Sequence, residues 1–127
     1  MNGTTSVLNN TFTKINLDTV VFDTNSNFSS SRFTPTVPGY YHITGEVTVP
    51  SAISQIMQLS IYKNGAEALR IGQSQSAWWS LNGSGLLYMN GTTDYVELYF
   101  YQGSGVSQTL AASIGNTWIN GALVRAA

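Results

Sequence analysis

A chain of 127 residues and 13.7 kDa has the size of one domain and can bury about two-thirds of its unfolded surface. Hydrophobic residues make up 43% and aromatics 12%, which excludes a disordered tail, and the absence of cysteine excludes disulfides and thiolate chemistry. Only 9% of residues are charged, at a net charge of −1, which excludes binding to nucleic acid or to an anionic membrane by counterion release.

Residues 1–10, MNGTTSVLNN, are polar, and 1–12 reads as a flexible lead-in to a single domain over 13–127. Short β-like runs then alternate with turn signals roughly every 8–12 residues, the spacing of an all-β sandwich or barrel. Residues 14–22 are rich in Val, Ile, Leu and Thr, and 32–37 end at Pro38-Gly39. Residues 40–49 end at Pro50, and 55–63 end at Asn64-Gly65, the strongest short hairpin signal. Residues 66–73 return from that hairpin, and 77–89 stop at Asn90-Gly91. Residues 94–102 end at Gly103-Ser104-Gly105, 108–113 are a weak strand, and 117–125 close the chain. Eight to ten strands of this kind make a jelly roll. Neither an apolar run of about 18 residues nor a basic start followed by an apolar block occurs, so neither a bilayer span nor a secretory signal is expected.

The catalytic inventory is thin. The single histidine, His42, lies in a strand-like run, and no G-x-S-x-G elbow accompanies it. The carboxylates are Asp18, Asp23, Glu46, Glu67, Asp94 and Glu97, and the pair closest in sequence, Asp94 and Glu97, would face opposite sides of a strand. No zincin, EF-hand or phosphate-loop motif appears, so no catalytic residue, metal or cofactor is expected. The scattered acids do not form a calcium cage, although three copies of one carboxylate or amide could meet on a threefold axis. Five Asn-x-Ser/Thr triplets read as turns in a chain with 29 Ser and Thr.

The strand faces carry more information. In 94–102, Val96, Leu98 and Phe100 share one face, and Tyr95, Glu97, Tyr99 and Tyr101 the other. Met57, Leu59 and Ile61 oppose Ile56, Gln58, Ser60 and Tyr62, while Ile119, Gly121 and Leu123 oppose Trp118, Asn120, Ala122 and Val124. A second face this apolar and charge-poor predicts a subunit interface at Gln58, Tyr62, Tyr95, Tyr99, Tyr101, Trp118, Asn120, Ala122 and Val124. Trp78-Trp79 opens a strand, so one indole should point into the core and the other outward. An exposed indole near Gln73 and Gln75 would suit sugar stacking, so Trp78, Trp79, Gln73 and Gln75 form a candidate ligand surface.

Four stretches, in order, carry a family resemblance: RFTPTVPGYY over 32–41, LSIYKNG over 59–65, SGLLYMNGTTDYVEL over 84–98 and INGALV over 119–124. Together they resemble the globular head of complement C1q and the C1q/tumour necrosis factor superfamily. Thr93-Asp94 stands where that family has Gly-Asp, Ile119 stands at its last-strand aromatic, and no collagen-like repeat precedes the domain. The phrases TTDYVEL over 92–98 and GALVR over 121–125 resemble C1q-type modules of bacteriophage fibres and spikes. The resemblance implies a ten-strand jelly roll that forms a compact homotrimer and acts as a binding or assembly module rather than an enzyme. It further implies a virion protein, made in the host cytoplasm, with a bacterial surface polysaccharide as partner. The alternatives are a virion decoration or trimerising cap without a ligand, a secreted glycosidase-like enzyme, and an animal C1q-type protein.

Overall fold

The computed structural model describes residues 3–111, 113 and 115–127. Among them there are eleven strands and no helix. They are β1 (Ser6–Val7), β2 (Thr13–Lys14), β3 (Phe28–Ser29), β4 (Arg32–Phe33), β5 (Gly39–Ile53), β6 (Met57–Lys63), β7 (Ala66–Ser74), β8 (Trp78–Met89), β9 (Val96–Gln102), β10 (Gln108–Thr109) and β11 (Trp118–Ala126). The hairpin signal at Asn64-Gly65 acts as read: both residues take positive φ, 53° and 85°, and β6 pairs with β7.

The strands form two main sheets. One is three-stranded, in the order β11-β5-β8. The other runs β3-β4-β9-β6-β7, with β2 sharing the β4 edge of β9. A two-stranded ladder, β1-β10, stands beside them. The sheets face each other as a sandwich because their strands alternate with period two. Tyr41, Ile43, Val47 and Val49 of β5 point inward to Met57, Leu59 and Ile61 of β6 and Val96, Leu98 and Phe100 of β9. Gly45, midway along β5, leaves room for Leu98.

Several boundaries differ from the sequence reading. Of 14–22, only Lys14 belongs to a ladder, as the second residue of β2. The Ile15 amide still donates to the Leu98 carbonyl, but the Leu17 amide goes to the Ser31 hydroxyl, and the chain leaves the sheet. Pro50 does not end β5, because a register shift between Thr48 and Ile53 absorbs the missing donor. Residues 3–12 are not a loose lead-in. Val7 is fully buried, and the buried Gln102 amide donates to the carbonyls of Val7 and Val106 at 3.1 and 2.8 Å. Of the weak strand over 108–113, β10 keeps two residues, and 112 lies outside the described residues.

One close approach ties the sheets together at their β7–β8 side. A Cβ built on Gly83 of β8 would overlap the backbone carbonyl of Ile71 in β7. Backbone cannot retreat as a flexible side-chain tip can, so Gly83→Ala should destabilise the fold by about 1–3 kcal/mol. Gly115→Ala, which meets nothing within 4 Å, should be nearly silent. Thermal melts of both variants against the parent check this.

Candidate functional site

The outward side of the three-stranded sheet is a flat, charge-poor face. Successive rows across β11, β5 and β8 bring Ala122, His42 and Leu86 together, then Asn120, Thr44 and Ser84, then Trp118, Glu46 and Asn82. At one end Tyr40 and Tyr88 pair edge-to-face, 5.5 Å between ring centroids. Tyr40, Leu86, Tyr88 and Val124 are 43, 54, 43 and 62% exposed. Sequence reasoning placed the β11 side of this face but missed Tyr40, Leu86 and Tyr88. Their signal was available in the alternation of 40–49 and 77–89.

The nine residues read as one interface do not share a surface. Trp118, Asn120, Ala122 and Val124 lie on the three-stranded sheet, whereas Gln58, Tyr62, Tyr99 and Tyr101 lie on β6 and β9 and Tyr95 just before β9, in the opposite layer. There the chain covers much of its own aromatic surface. Tyr62 stacks on Tyr99 at 3.8 Å, and the Phe12 ring sits 5.8 Å from Tyr62 and 5.1 Å from Tyr101. Arg32 lies over the Tyr95 ring at 3.6 Å, and Gln58 donates to Gln73. Phe12, counted with the lead-in, is the residue that sequence reasoning missed, because nothing local marks a lone Phe as a lid on a distant strand.

The Trp78-Trp79 pair is also placed differently. Neither indole enters the core: Trp78 and Trp79 are 58 and 56% exposed. The first buried side chain of β8 is Leu81, and Trp78 meets β5 only beyond the register shift, opposite Ile53. Gln75 is exposed beside the pair in sequence, while the Gln73 amide is engaged by Gln58 and Arg70.

A third feature is a slot of about 400 Å³ between residues 19–25 and β11. Leu17, Phe28, Phe33 and Tyr41 also line it. Sequence reasoning missed it, because it read 14–22 as a paired strand.

The carboxylates are largely committed to structure. Glu97, 3% exposed, is held by Lys14 at 2.5 Å and Arg32 at 3.2 Å. Glu67 bonds to Arg70 and Ser60. Asp94 accepts from the Asn64 side chain at 2.7 Å, from the Asn90 amide at 3.0 Å and from Lys63 at 3.0 Å. The Asn64 hydrogen bond, followed by Lys63 and Asn90, holds its carboxyl below the usual range against the opposing cost of burial. Asp23 is likewise lowered by the amides of Asn27 and Phe28. Burial pushes the Tyr62 and Tyr99 hydroxyls up, with Glu67 and Glu97 adding to it. Among the described residues, no three His, Cys, Asp or Glu side chains group so as to hold a metal ion.

This all-β sandwich has the fold of the C1q/tumour necrosis factor type. The globular domain of a zebrafish complement 1qA protein superposes with a TM-score of 0.59 at 18% identity, over 98% of each chain. Murine APRIL superposes with a TM-score of 0.65 at 13% identity, over 92% of this chain and 89% of its own. At these identities the likeness establishes the fold. No protein-family profile matches the chain, and no curated protein does.

The lowered Asp94 carboxyl sets a pH dependence. A carboxyl whose folded pKa is depressed adds stability above its unfolded value, and that stability is lost as pH falls through the folded value. Stability should therefore hold down to about pH 4 and fall below it as Asp94 and Asp23 take up protons. Asp94→Asn should lower stability at pH 7 and flatten the acid limb, as read from urea midpoints across pH 2–7.

Proposed function

We propose that this chain is a non-enzymatic module that assembles as a homotrimer through the outward face of β11-β5-β8. The observation that carries this reading is the exposed set Tyr40, Leu86, Tyr88 and Val124 on one flat face. Monomers rarely leave such faces bare, and aromatic enrichment with charge depletion marks interface cores. The fold likeness to the zebrafish complement 1qA domain supports a binding or assembly role. The non-enzymatic reading is supported by the commitment of Glu97, Asp94 and Glu67 to ion pairs and hydrogen bonds within the fold.

The setting we propose is a phage fibre or spike, part of an extracellular virion, with a neutral bacterial surface glycan as ligand. The sequence phrases over 92–98 and 121–125 support the setting. The exposed Trp78-Trp79 pair supports the ligand, since each indole offers a flat apolar face beside neutral Gln75 and Ser76. Few cations are present to hold a phosphorylated sugar. A second reading is a decoration or trimerising cap with no ligand. It is favoured by Gln73, which is tied to Gln58 and Arg70 rather than free for a sugar.

Light scattering should return about 41 kDa, three times 13.7 kDa. Leu86→Asp or Tyr88→Asp should reduce that mass to the monomer with the fold intact, because burying an unpaired carboxylate at an interface costs several kcal/mol. A monomeric parent at micromolar concentration would reject the self-assembly. Trp78→Ala and Trp79→Ala should keep the trimer mass and weaken binding to host cells or to a glycan array. If the parent binds neither, the assembly reading replaces the glycan reading.

A further inference from the structure

We propose that the slot beside β11 is a strand-addition site for an extended, uncharged peptide segment. The first reason is topological. β11 ends its sheet, and among the described residues only β5 pairs with it. The other edge of a nine-residue strand presents a periodic row of backbone donors and acceptors. A second strand matches that row, and a compact ligand does not.

The second reason is shape. The walls are two stretches of consecutive residues, 19–25 on one side and 117–123 on the other. Of these, 118–123 belong to β11, and six residues of strand run about 20 Å, so that wall follows the strand direction, while 19–25 lies outside any strand and turns at Thr24-Asn25. An extended peptide would lie between both walls and cover them together.

The third reason is charge matching. Val20, Val21 and Phe22 on one wall are 50, 73 and 81% exposed, and Trp118 and Leu123 stand on the other. The lining holds no Lys, Arg or His, and its one carboxylate, Asp23, already accepts from the amides of Asn27 and Phe28 at 2.9 and 2.8 Å. A charged peptide would leave its charge unpaired against apolar walls. A neutral peptide of β-branched and aromatic residues sends alternate side chains into the slot and out to water. The site uses the open edge of β11 and the face turned toward residues 19–25, and it shares Trp118, Asn120 and Ala122 with the outward face assigned to self-assembly.

The test titrates the full chain with the acetylated, amidated hexapeptide TVTVTF and follows amide exchange along β11. Saturable binding should slow exchange of the β11 amides at least about tenfold. The peptides TPTPTF, which lacks alternate N–H donors, and KVKVKF, which adds charge, should bind at least about tenfold more weakly. Phe22→Asp, at an exposed position, should leave the melting midpoint unchanged and weaken TVTVTF by a similar factor. Equal binding of TPTPTF, no binding of TVTVTF at millimolar concentration, or unchanged β11 exchange at saturation would each overturn the proposal. So would β11 protection that rises with protein concentration without peptide, which would give the edge to a second copy.

Discussion

The alternation of β5 is the constraint on which the rest of the molecule depends. From Gly39 to Val49 every odd-numbered residue faces the core and every even-numbered one faces away. The inward row supplies Tyr41, Ile43, Val47 and Val49, against which the second sheet packs. The outward row supplies Tyr40, His42, Thr44, Glu46 and Thr48, the middle line of the exposed face. A one-residue slip would exchange the two rows and destroy core and face together. Pairing on both edges, by β8 and β11, fixes the register.

A chain with eleven charged residues has few to spend, and most are spent inside the fold. Lys14 and Arg32 converge on Glu97 at the β9 surface, joining the N-terminal strands to the larger sheet. Lys63 reaches from the end of β6 to Asp94 and to the Tyr88 carbonyl, linking the hairpin to β8. With these ions committed, the outward face of the three-stranded sheet is left mainly to hydroxyls, amides, apolar side chains and aromatic rings, with Glu46 and His42 in its middle line. Such a surface discriminates by shape and hydrogen bonding rather than by long-range attraction.

Two kinds of contact decide which apolar surface remains available. On the larger sheet, Phe12 and the Tyr62–Tyr99 stack satisfy one another within the chain. On the three-stranded sheet nothing in the described residues lies over Leu86 or Val124 to the same degree, and they stay exposed. At the edge of β11, residues 19–25 stand off and leave a slot, because the amides on either side of them are already satisfied. The Leu17 amide bonds to the Ser31 hydroxyl, and the Asn27 and Phe28 amides bond to the Asp23 carboxylate.

The sequence by itself determined the fold class and most of the long strands. Period-two patterning in 40–49, 55–63 and 94–102 and the Asn64-Gly65 turn are local signals, and each element they predict is present, with its ends shifted by a few residues. It also determined which side chains share a strand face, because that follows from pleat geometry alone. Only the tertiary structure decided which layer each face belongs to. Tyr99 and Trp118 look alike in pattern, yet one is covered by its own chain and the other stands on the open sheet. Alternation gives a side chain's phase along its strand but not what lies above the sheet. That is set by contacts as distant in sequence as Phe12 to Tyr101, and at Trp78 and Trp79 by a register shift in β5 that local pattern does not show.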